Sequence, residues 1–114
     1  GADYIVTQMF FDNKHYFKFV EQCNKIGIKI PIIPGIKILS LERHLEALPK
    51  HFYLNLPKEL IKSVEGKSKS EIRNSGIDWA ISQIQELIDQ GVPCIHFYIM
   101  SSAKSATKVV SNFI

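Results

Sequence analysis

YIVTQMFFDNKHYFKFVEQCNKIGIKIPIIPGI, residues 4–36, reads as a strand, a helix and a second strand in succession. Tyr4–Met9 is almost wholly apolar, interrupted only by Thr7-Gln8. Asp12 then suits an N-cap, because its carboxylate can accept an orphan backbone N–H of a helix beginning near Asn13. Tyr16, Phe19, Val20 and Cys23 recur at three- and four-residue spacing and give that helix one apolar face. Gly27 fits the stop, since glycine takes the left-handed conformation freely. The next apolar run carries a strand over about 30–34, with Pro31 at its entry and Pro34-Gly35 as a turn at its end.

The same logic extends along the chain. Ser40 is read as capping a short helix through Leu48, and a second short candidate has Pro57 in its first turn and Gly66 after its end. Ser68 and Glu71 form a capping-box pattern. The helix they open carries Ile77, Ala80, Ile81, Ile84, Leu87 and Ile88 on one face, the clearest helical periodicity in the chain. Gly91 and Pro93 end it. CIHFYIM, residues 94–100, is a third strand, and a last helix follows with Ser101 or Ser102 as its cap. The order β-α-β-α-α-β-α predicts an α/β fold with parallel strands. No repeat and no linker divides it, so residues 1–114 read as a single domain. Three strands are few for an independent parallel sheet, so the pattern reads as an incomplete piece of a larger sheet or barrel. The start at Gly1, directly before a strand and without Met, agrees with a fragment.

Composition narrows the function classes. The chain is 46% hydrophobic and 22% charged, values of a globular domain rather than a disordered segment. Its formal charge of +3 comes from scattered lysines, with no basic run of a nucleic-acid patch. No apolar run approaches the roughly 18 residues that span a bilayer. Cys23 and Cys94 are isolated and read as small packed hydrophobes in a reducing, cytoplasmic setting. His15, His44, His51 and His96 have no metal-ligand spacing. Dinucleotide, P-loop and nucleophile-elbow motifs are absent, as is a close carboxylate pair.

In parallel α/β proteins ligands meet the C-terminal ends of the strands. Alternation places Tyr4, Val6 and Gln8 with His96, Tyr98 and Met100 on one interior, and Ile95, Phe97 and Ile99 on the helix-covered face. Gln8 and Tyr98 then lie nearest the mouth. Gln8 donates and accepts, so it can read the paired N–H and C=O groups of a heterocycle. It can equally bond a neighbouring strand, and spacing alone leaves both readings open. Asp12 reads as a cap rather than a catalyst. Asp78 and Trp79 are read as lying away from the strand mouths. For MSSAKS, capping is favoured over anion binding.

Together these motifs resemble the later part of the methylenetetrahydrofolate reductase barrel, which carries a GA…TQ-FFD…GI..PI.PGI pattern and an HFYTLN-like last strand. The resemblance runs through nearly the whole chain, in the family's order. It implies the last three units of a (β/α)8 TIM-type barrel. It implies noncovalent FAD, which takes hydride from NADH or NADPH and reduces 5,10-methylenetetrahydrofolate to 5-methyltetrahydrofolate, in the one-carbon metabolism that feeds methionine synthesis. Gln8 matches the family glutamine that contacts the folate pterin and the nicotinamide, and Tyr98 would shape the pocket wall. The family's general acid is a glutamate on an earlier strand, expected upstream of Gly1, so no catalytic residue is assigned to this chain. Ser102 stands where the family often has an arginine for the folate tail, with Lys104 nearby, and Lys62–Val64 lack the aromatic and amide often found there. The fragment alone is therefore expected to be inactive. The competing expectation is a non-catalytic half-barrel, a binding or assembly module whose free strand edges take a partner such as a second copy.

Overall fold

The computed structural model describes residues 1–52, 54–99 and 103–114. The elements are β1 (Ile5–Met9), α1 (Asn13–Lys25), β2 (Ile32–Ile36), α2 (His44–Phe52), α3 (Lys58–Val64), α4 (Lys69–Asp89), β3 (His96–Phe97) and α5 (Lys104–Ser111). The strands form one parallel sheet in the order β1-β2-β3. Three helices separate β2 from β3, and the middle one, α3, is the short helix read after Pro57, which the order β-α-β-α-α-β-α left uncounted.

Local signals fix most helix ends. The Asp12 carboxylate accepts from the Lys14 N–H at 3.0 Å. Ser68 and Glu71 exchange side-chain and backbone bonds at 3.3 and 3.2 Å, the reciprocal capping box. That bonding holds the Glu71 carboxyl below its usual range. Gly27, with φ of +86°, follows the last turn of α1.

Four expectations change. β2 runs through Pro34-Gly35 to Ile36 instead of turning there. Pro34 is tolerated because it sits between the paired positions Val6↔Ile33 and Met9↔Gly35, at an irregularity in the ladder. α2 begins at His44 rather than at Ser40, and continues past Leu48 to Phe52. β3 pairs only over His96–Phe97, while Met100, Ser101 and Ser102 lie outside the described residues. The N-cap of α5 is Ala103, not a serine, and it makes no side-chain cap bond.

Two apolar clusters flank the sheet. Ile32, Ile36 and Ile38 join Ile77, Ala80 and Leu87 of α4 and Val109 of α5. Ile36, Leu87 and Val109 are fully buried, each contributing about 1.5–3 kcal/mol of burial relative to exposure. The second cluster gathers Met9, Phe11, Leu39, Leu48, Leu60 and Val64, where the strands end and α2 and α3 fold over. Gly76 lets α4 approach this end: a Cβ there would overlap the Leu39 carbonyl oxygen. Cys23 packs in the core as expected, but Cys94 is exposed, because it lies in the short segment between α4 and β3.

Candidate functional site: the Thr7-Gln8 bulge and the strand ends

β1 and β2 pair at Ile5↔Ile32, Val6↔Ile33 and Met9↔Gly35, so β1 carries one extra residue over Thr7-Gln8. Such a bulge re-aims side chains and ends simple alternation. The Thr7 hydroxyl takes over the ladder here. It accepts from the Gly35 N–H at 2.9 Å and donates to the Gln8 carbonyl at 2.9 Å. Just past β3, Tyr98 reaches across β2 and donates its hydroxyl to the Thr7 carbonyl at 2.7 Å. The ring passes over Gly35, where a Cβ would stand 2.5 Å from Tyr98 Cε2 and 2.7 Å from the Thr7 oxygen. His96 meets the Tyr98 ring edge-on, centroids 4.7 Å apart.

The bulge corrects the alternation. Met9, expected opposite Gln8, packs in the same cluster as Tyr98. Tyr4 and His96 are exposed rather than interior. Gln8 is exposed rather than buried, at the edge strand of the sheet, and its Oε1 accepts from the Met9 N–H at 3.3 Å. Val6 and Gln8 line a cleft of about 430 Å³ with Phe52, Leu54 and Asn55. Tyr98 does not line that cleft; it fixes the backbone from which Gln8 projects.

The sequence reading missed three features. Trp79 is not remote from the strand ends: its indole N–H donates to the Phe11 carbonyl at 2.8 Å, just past β1. Beside it, Gln83 Nε2 donates to the Phe10 carbonyl at 3.1 Å and Asn13 Nδ2 to Glu86 at 2.8 Å, tying α4 to the β1–α1 turn. Polar residues inside an apolar helix face were the available signal.

The second is Lys37, directly after β2 and only 7% exposed. Burial pushes its pKa down. A lysine inside the apolar run IPIIPGIKIL was the signal. The third is His44, whose Nδ1 accepts from the Ser40 and Leu41 N–H groups at 3.2 and 3.3 Å. Burial, then the charges of Lys37 and Arg43, lower its pKa to about 4, so the ring is neutral near pH 7. Among the described residues no cluster of His, Cys, Asp or Glu could hold a metal ion, and no helix is long and apolar enough to cross a membrane.

Comparison with known proteins bears on the whole chain. The family model described as methylenetetrahydrofolate reductase matches residues 1–113. "Methylenetetrahydrofolate reductase (NADH) 1" of Arabidopsis thaliana is 33% identical over 114 residues, 98% of this chain and 19% of the relative. "Probable methylenetetrahydrofolate reductase (NADPH)" of Caenorhabditis elegans is 30% identical over 115 residues, 98% of this chain and 17% of the relative. "5,10-methylenetetrahydrofolate reductase" of Salmonella typhimurium is 30% identical over 106 residues, 91% of this chain and 36% of the relative. The chain thus spans about a fifth of the plant relative's length and about a third of the bacterial one's. With the parallel βαβ order and the TQ and HFY segments at the strand ends, these matches settle the kinship: the chain belongs to the methylenetetrahydrofolate reductase family.

Proposed function

We propose that the protein containing this chain reduces 5,10-methylenetetrahydrofolate to 5-methyltetrahydrofolate with NADH or NADPH through a bound FAD. In this reading the chain supplies the last three βα units of a (β/α)8 barrel, and Gln8 positions first the nicotinamide and then the pterin. The observation that carries it is the pinned bulge. Three hydrogen bonds fix the backbone around Gln8: Thr7 to Gly35, Thr7 to Gln8, and Tyr98 to Thr7. An amide on a backbone held this way is preorganised, which lowers the cost of orienting a ring. Its Nε2 has no protein acceptor among the described residues, so a donor remains for a heterocycle whose edge pairs N–H with C=O. The walls beside it, Val6, Phe52 and Leu54, suit a flat ring.

The same walls do not fit a whole FAD. Among the described residues, no Lys or Arg lines the cleft and no Gly-rich phosphate loop adjoins it. They fit one ring edge. The dinucleotide contacts and the proton donor fall to residues outside this chain, and the chain alone is expected to be inactive.

The test is Gln8→Ala in the full-length parent. Loss of one orienting amide should lower kcat/KM for the folate at least tenfold, about 1.4 kcal/mol, with melting unchanged because Gln8 is exposed. An unchanged kcat/KM would refute the reading. A colourless full-length protein that ignores added FAD would favour the non-catalytic half-barrel instead.

A further inference from the structure

We propose a separate binding site for a phosphate-class dianion in the groove where β2, α4 and α5 converge. Lys37, Arg73, Lys104 and Lys108 line this groove of about 390 Å³, and among the described residues no carboxylate does. Two independent observations point to an anion. Lys37 is 93% buried (7% exposed) and forms no ion pair or hydrogen bond among the described residues. Burial disfavours the charged ammonium, and a negative charge entering a groove lined by other cations offsets that cost. The groove also takes in the first turn of α5 at Ser105 and Ala106. Their N–H groups precede the first intrahelical bond, Thr107 to Ala103 at 2.9 Å, and Ala103 has no side-chain cap to offer. First-turn N–H groups and the positive helix end favour an oxyanion. Lysine and arginine then add charge and a planar fork of donors.

A compact tetrahedral oxyanion suits this convergence of short backbone donors with cations on two sides. The volume leaves room for an ester substituent. The site does not rest on the folate reading, because neither Lys37 nor Arg73 lines the Gln8 cleft.

The experiment is calorimetric titration of the full-length protein with inorganic phosphate, and in parallel with glutarate. Wild type should bind phosphate saturably in the millimolar range or tighter, and more tightly than glutarate. Lys37→Met keeps the volume and removes the charge, so it should weaken phosphate at least tenfold while leaving the melting temperature equal or higher in phosphate-free buffer. Arg73→Gln is an exposed change that tests the same groove if Lys37→Met fails to fold, and it should also weaken phosphate. Absence of saturable binding, tighter binding of glutarate, or equal phosphate affinity in wild type and Arg73→Gln would overturn the proposal.

Discussion

Gly35→Ala puts the pinned bulge to a direct test. Gly35 is not among the positive-φ glycines, so alanine fits its backbone and would by itself stabilise by about 0.4–1 kcal/mol through the unfolded chain. The added Cβ, however, would stand 2.5 Å from Tyr98 Cε2 and 2.7 Å from the Thr7 carbonyl oxygen. Carbon atoms settle at about 3.5–4.0 Å, so the ring must retreat by about 1 Å or more. That movement opens its 2.7 Å bond to Thr7, at about 1 kcal/mol. The carbonyl cannot yield without opening the β1–β2 pairing, and overpacking of this kind costs about 1–3 kcal/mol. The net expectation is about 2–3 kcal/mol of destabilisation, read as the urea midpoint of the full-length protein. Tyr98→Phe should cost about 1 kcal/mol, and the double variant should fall short of the sum by about that amount, because the hydroxyl bond can be lost only once. The kcat/KM for folate should fall further in Gly35→Ala than in Tyr98→Phe, since only the former displaces the bulge. Wild-type stability in Gly35→Ala would refute the reasoning.

Two further outcomes follow. Gly76→Ala should destabilise by more than about 3 kcal/mol or prevent folding, since α4 cannot give way to a Cβ overlapping the Leu39 carbonyl; near-wild-type expression and melting would contradict that packing. His44, with its folded pKa lowered to about 4 from 6.5, makes the unfolded chain the stronger proton binder between those values. Stability should therefore rise from pH 4 to about 6.5 and level off above. The full shift would correspond to roughly 3 kcal/mol, which half-exposure of the ring reduces to about 1–2 kcal/mol. His44→Gln should flatten this part of the urea-midpoint profile, and an unaltered slope would assign the pH dependence to other groups.

The helices were legible because their signals are local. Asp12, Ser68 with Glu71, and Gly27 each act within four residues, and Ile77, Ile81 and Ile84 of α4 join one cluster, although Ile88, read on the same face, is exposed. Parallel strand order followed from the alternation of elements. What escaped the sequence was long-range. A single extra residue at Thr7-Gln8 inverts the face of Met9, and a period of two contains no warning of it. Gly35 read as a turn residue and Gly76 drew no reading, yet each is set by a partner far along the chain, Tyr98 and Leu39. Gln8 was singled out through its motif, and its exposure was not foreseen. Lys37 was visible as one charge in an apolar run, but only the meeting of β2, α4 and α5 brings it into a groove with Arg73, Lys104 and Lys108.

The Tyr98–Thr7 bond closes a loop of 91 residues, and that has a consequence in time. On the ribosome β1, α1 and β2 emerge before β3 and can pair ahead of it, as a compact local unit. The bulge is clasped only after β3 has been made and docked, because closing so long a loop must wait for the chain between. The Gln8 amide is thus made well before the backbone that carries it is clasped. A nascent chain stalled within α4 would hold a paired β1–β2 with the Thr7 carbonyl still unclasped.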